Sequence, residues 1–175
     1  HRWLECTPSA RLEEFEPSIY SPYAEEGTEA HALAEIKLSY MLGKISVEKY
    51  ETEFENFKLT SKFYNAEFNE YVNKYCNEVM TIIKEDYKDE KVQVELESKV
   101  EFSDIVENGS GTSDVLIIGR NFVHVVDLKY GKGVPVSAIG NSQLRLYALG
   151  AIRKHMRDGI FTEARMTIIQ PRLDD

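Results

Sequence analysis

The sequence predicts a mixed α/β fold, with a helical N-terminal half followed by three strands, a helix and a fourth strand. Three observations predict it. Apolar residues recur at helical spacing as far as about Tyr87. From Lys91 the period changes to two, with Val92, Val94 and Leu96 alternating with Gln93, Glu95 and Glu97. Phe122 to Leu128 is an apolar run rich in β-branched residues, as a buried central strand would be.

Each element has its own justification. Thr7-Pro8-Ser9 reads as a helix start, with a hydroxyl cap and Pro in the first turn. A second helix is expected from Glu25-Glu26-Gly27-Thr28 to about Leu42, with Thr28 as cap and Gly43 as its stop. Ala30, Leu33, Ala34, Leu38 and Met41 would share its buried face. Ser46 to Lys58 reads as a short helix. Asn65 to Tyr87 reads as a long one, with Phe68, Tyr71, Val72, Tyr75, Val79, Ile82 and Ile83 as its apolar stripe. After the first strand, Asn108-Gly109-Ser110-Gly111 is turn chemistry. Val115–Ile118 and Phe122–Leu128 follow as strands joined at Gly119-Arg120-Asn121. Ser142 to His155 reads as a helix carrying Leu144, Tyr147, Ala148 and Ala151, and Ala164 to Gln170 as the last strand. The length fits one domain, helical over 1–90 and sheet-forming over 91–175.

Composition excludes some classes of function. No run approaches the roughly 18 to 20 apolar residues of a membrane span, and the first residues lack the apolar core of a signal peptide. Cys6 and Cys76 are far apart and form no CxxC pair, so a cytoplasmic setting with free thiols is expected. The formal charge of −9 argues against a general polyanion binder. It is unevenly spread, however. Residues 111–175 hold nine Lys/Arg against six Asp/Glu, so a local basic surface is compatible with nucleic acid.

The chemistry concentrates between Gly111 and Tyr147. Asp127 and Lys129 are two apart in an extended chain, so both leave one sheet face. If the two strands form a hairpin, Asp114 comes beside Asp127. Two buried carboxylates there would repel, and a hard divalent cation, Mg²⁺ or Mn²⁺, would relieve that cost. Lys129 would then position an attacking water and meet charge developing on a phosphate. Gln143 and Tyr147 stand four apart, on one helix face.

Ser113-Asp114, twelve residues, then Asp127-Leu128-Lys129 resembles the signature of the PD-(D/E)XK nucleases, with Ser113 in place of the nominal proline. Gln143-Leu144-Arg145-Leu146-Tyr147 resembles the QxxxY helix of their RecB-like branch. Stretches such as His1-Arg2-Trp3-Leu4, Asp127 to Gly133 and Thr167 to Leu173 resemble a phage and prophage family of RecB-like proteins of unassigned function. The resemblance covers nearly the whole chain and implies a restriction-endonuclease-like core. It implies a DNA exonuclease or recombination-type enzyme in a bacterial host, working with a replication or recombination partner.

By the same resemblance Asp114 and Asp127 bind metal, the Leu128 carbonyl adds a ligand, and Lys129 is the catalytic lysine. Gln143 and Tyr147 line the site, and His31 fits the metal-binding histidine of an N-terminal helix. An acidic residue of the first strand completes the set. Glu97 is the first choice, but Glu95 and Glu101 fall on the same face of a regular strand, and alternation does not separate them. The iron–sulfur cluster of some relatives needs four cysteines, and the two of this chain exclude it. The sequence stops soon after the last core strand, as a piece of a longer protein would.

Plainer readings compete. Asp127 with Lys129 also suits a strand-end ion pair, a reading that Gln143 and Tyr147 weaken, and His31 shares its helix face with core residues. Trp3 suits a packing anchor and Cys76 a buried filler. Lys132, Arg145, Arg153, Lys154 and Arg157 form a candidate DNA rim, although cations near a helix end also favour its dipole. The alternative function is a catalytically inactive nuclease fold that binds DNA or serves assembly.

Overall fold

The structure, a computed structural model, describes residues 21–133 and 135–173. Its order is α1 (Pro22–Met41), α2 (Val47–Thr60), α3 (Ala66–Thr81), β1 (Gln93–Glu101), β2 (Ser110–Ile118), β3 (Phe122–Leu128), α4 (Ser142–His155) and β4 (Glu163–Ile169). The mixed α/β class and the order of helices, three strands, helix and strand are as the sequence predicts. The expected helix at Thr7-Pro8-Ser9, together with Trp3 and Cys6, lies outside the described residues.

One expected helix boundary is corrected. α1 begins at Pro22 with Ser21 as N-cap, because proline pre-sets the helical φ at the first position. Thr28 is therefore interior, and its hydroxyl bonds back to the Ala24 carbonyl at 3.0 Å. Met41, expected on the buried face, is exposed at the C-terminal end of the helix. Gly43 does stop it, at φ +68°. Ser46 and Asn65 cap α2 and α3, accepting the amides of Lys49 and Phe68. The long third helix ends in a single π turn, Ile82–Asp86.

The sheet has the order β1-β2-β3-β4. β1–β2 and β2–β3 are antiparallel, and β3–β4 is parallel, so the connection through α4 is a crossover. Both faces are covered. On one side Val115, Ile117, Phe122, Val126 and Leu128 pack with Leu33, Leu38, Val72 and Val79 of α1 and α3. On the other, Leu116, Ile118, Val123 and Val125 pack with Leu144, Ala148 and Ala151 of α4. Every residue of β3 is buried, which is why five of its seven residues are apolar and its sequence does not alternate. Burying each Val or Leu fully contributes about 1.5–3 kcal/mol. α4 lies close enough to β1 that a Cβ on Gly150 would come within 2.9 Å of Val100 Cβ and 3.0 Å of the Glu101 carbonyl oxygen.

Candidate functional site

The register of the sheet places three carboxylates in one row. Val115 pairs with Val126, so Asp114 and Asp127 stand one step past the last β2–β3 pair. Leu96 pairs with Val115 and Ser98 with Ser113, so Glu97 stands opposite Asp114. The row runs Glu97, Asp114, Asp127 across β1, β2 and β3, where the ladder between β2 and β3 opens.

Glu97 adopts φ +45°, a conformation that costs a non-glycine residue on the order of 1–3 kcal/mol. The register on either side of it is unchanged, so no residue is inserted; the strand instead reverses its alternation. Leu96 and Glu97 both line the cavity beside His31, whereas Glu95 and Ser98 meet Lys154 of α4, on the other face. This corrects the expectation that Glu95, Glu97 and Glu101 share one face. Glu95 is taken up by Lys154, Ser98 and His155, Glu101 is exposed, and Glu97 alone of the three joins the site.

His31, from α1, places Nδ1 3.1 Å from Asp114 Oδ1. Ligand atoms of His31, Glu97 and Asp114 all lie within 4.8 Å of one another. They enclose a cavity of about 10 Å³, also lined by Glu35, Leu96 and Tyr75. That is room for about one water molecule. Burial, with Asp114 beside it, pushes the Glu97 carboxyl up to about 7. Burial is the largest influence on His31 and opposes its charge, but the hydrogen bond to Asp114 and the negative charges of Asp114, Glu97 and Asp127 together outweigh it and raise its pKa. Asp127 lies outside this triad. Burial and then Asp114 raise its pKa, against the effect of Lys129.

A second group of side chains meets the row from α4. Asp114 Oδ2 accepts the Leu128 N–H at 2.7 Å. Lys129 Nζ lies 2.6 Å from Asp127 Oδ2, though without hydrogen-bond alignment, and donates to Gln143 Oε1 at 3.4 Å. Gln143 Nε2 donates in turn to the Tyr147 hydroxyl at 3.0 Å. Gly111 leaves room for that ring: a Cβ there would lie 2.4 Å from Tyr147 Cε1. The four-residue spacing of Gln143 and Tyr147 thus links Lys129 to Gln143 and, through it, to Tyr147. Leu128 itself is a buried core residue whose amide holds Asp114.

An imidazole nitrogen and carboxylate oxygens this close, with one carboxyl driven toward neutrality, fit a divalent cation such as Mn²⁺ or Mg²⁺. Tyr75 supports the same fit, since it lines the cavity and its buried hydroxyl has no hydrogen-bond partner among the described residues. Sequence reading placed Tyr75 only in the apolar stripe of α3. The available signal was a tyrosine on a buried face, where a phenol needs a partner that phenylalanine does not.

Over residues 1–175 the chain matches the family described as "Protein of unknown function (DUF2800)". It belongs to DUF2800. No solved structure matches it at a significant level.

The cations expected at the rim of this DUF2800 site are not equivalent. Arg145 and Arg157 are exposed. Lys132 is exposed, with Nζ 3.5 Å from Glu67 Oε1. Arg153 is instead tied to Asp104 and Lys154 to Glu95 and Ser98, so both are engaged within the fold. Cys76 is buried, and burial pushes its thiol up to about 12, which makes it inert. Among the described residues, no helix is long and apolar enough to cross a membrane.

Proposed function

We propose that this DUF2800 protein is a metal-dependent DNA nuclease on a restriction-endonuclease-like core, an exonuclease or end-processing enzyme of phage or prophage origin. The observation that carries the reading is the position of Asp114. One oxygen meets His31 and the other holds the peptide N–H immediately after Asp127, so the triad of His31, Glu97 and Asp114 is tied to the strand that presents Lys129.

His31, Glu97 and Asp114 would hold the cation, with Asp127 beside them. A bound divalent ion supplies Lewis acidity toward a phosphate oxygen and eases deprotonation of water. Lys129, fixed by Asp127 and Gln143, presents an ammonium group to the charge that builds on the phosphate. Water attacks phosphorus and gives up a proton to solvent, the P–O bond to the leaving sugar oxygen breaks, and that oxygen takes up a proton from solvent. Gln143 and Tyr147 keep the Lys129 side chain from swinging away. Arg145, Arg157 and Lys132 are the cations left to meet the DNA backbone, whose contacts dominate affinity.

The test is degradation of end-labelled linear and closed circular DNA, single- and double-stranded, with Mn²⁺, Mg²⁺ or EDTA. Cleavage that requires metal and disappears in Lys129→Ala is expected, with linear substrates preferred. Folded protein that binds DNA in every condition and cuts none would replace this reading with that of an inactive nuclease fold.

A further inference from the structure

Tyr75 is 1% exposed, at the centre of α3. Its hydroxyl is fully enclosed and makes no hydrogen bond among the described residues. Leaving such a group unpaired costs on the order of 1–3 kcal/mol, and a phenylalanine would avoid that cost at the same volume. The hydroxyl does not sit in a purely apolar place, however. Tyr75 borders the cavity of about 10 Å³ whose other polar walls are His31, Glu35, Glu97 and Asp114. Burial first, and then the charges of Asp114, Asp127 and Glu97, hold its pKa well above the ordinary phenol value. The phenol is therefore kept neutral, on a residue that borders a cavity walled by acceptors with which it makes no hydrogen bond.

We propose that Tyr75 is a positioning residue of the cation site: with a divalent ion bound in the cavity, its hydroxyl donates a hydrogen bond to a carboxylate oxygen of Glu97 or Asp114 as these close on the ion. The inference rests on the cation-site reading above, but concerns a residue to which that reading gives no part. It also explains why α3 carries a buried hydroxyl that no group among the described residues satisfies. A second-sphere hydrogen bond of this kind typically changes metal affinity by about 10- to 100-fold.

The experiment is calorimetric titration of Mn²⁺ into the full chain, as wild type, Tyr75→Phe and His31→Ala, with melting temperatures measured in EDTA and in excess Mn²⁺. Wild type should bind Mn²⁺, and Tyr75→Phe should bind it about tenfold or more weakly. In EDTA, Tyr75→Phe should melt at or above the wild-type temperature, because the unpaired hydroxyl is gone, while its gain from Mn²⁺ shrinks. A merely structural hydroxyl would lower the metal-free melting temperature and leave affinity unchanged. Mn²⁺ binding by Tyr75→Phe at wild-type strength overturns the proposal and leaves the cation site standing, provided His31→Ala has lost binding. Absence of Mn²⁺ binding in wild type would instead remove the cation site, and the proposal with it.

Discussion

Asp114 Oδ2 accepts the backbone N–H of Leu128 at 2.7 Å, so a side chain of β2 holds the end of β3 where the strand ladder has already stopped. An asparagine at 114 keeps an oxygen for that N–H and loses the charge. Asp114→Asn should therefore fold with a stability within about 1 kcal/mol of wild type, the typical worth of one hydrogen bond. It should lose metal-dependent cleavage by roughly 100-fold or more, as loss of a principal electrostatic group does. Denaturant midpoints and cleavage rates on one preparation separate the two effects.

Glu97 holds a left-handed conformation that glycine adopts without cost. Its carboxyl is also half-buried among other acids. Glu97→Gly should then stabilise the metal-free protein by about 1 kcal/mol, the strain relieved less the backbone entropy of glycine. The same variant should lose the rise in melting temperature that Mn²⁺ gives wild type. A melting temperature that falls in EDTA would show that Glu97 is not strained.

Gly111 faces the Tyr147 ring, and any side chain there must displace it. Gly111→Ala should lower cleavage by about tenfold or more by moving Tyr147 and, through Gln143, Lys129. In Tyr147→Ala the ring is absent, and adding Gly111→Ala should then cost little further. Additive losses in the double variant would disconnect the two positions.

His124 is 5% exposed, bonded to the Tyr87 hydroxyl through Nδ1 and to Thr167 Oγ1 through Nε2. Burial, with Arg165 nearby, lowers its pKa to about 4, against about 6.5 unfolded. Below the unfolded value, the unfolded chain binds the extra proton. The contribution is thus full above pH about 6.5, falls as the pH drops, and is exhausted below about 4. The loss amounts to about 3 kcal/mol at 1.36 kcal/mol per pKa unit. Urea midpoints between pH 7.5 and 4.5 should converge for wild type and His124→Asn as the pH falls.

Much of the fold was legible because its signals are local. The β-branched run Phe122–Leu128 and the amphipathic Ser142–His155 have the bounds that their residues suggest. Asp127, Lys129, Gln143 and Tyr147 meet because periods of two and of four place them on common faces. Three features were not legible. Alternation assumes a regular strand, so it cannot show that Glu97 reverses the faces and sends Glu95 to Lys154. Thr28 was a plausible cap until Pro22 started the helix earlier. Tyr75 counted as apolar because a hydropathy stripe does not register a lone hydroxyl.

The reversal at Glu97 has a consequence for the protein in concentrated solution. Among the described residues β1 is paired only with β2, so its outer backbone groups are a template for a second chain. A flat nine-residue strand there would invite edge-to-edge stacking. The left-handed residue interrupts the row near its middle, and the charges of Glu95, Lys99 and Glu101 flank the break. Glu97→Val, whose branched side chain resists that conformation, should straighten the strand and raise light scattering on concentration. The backbone irregularity that assembles the site would then also keep copies of the chain from polymerising through the outer side of β1.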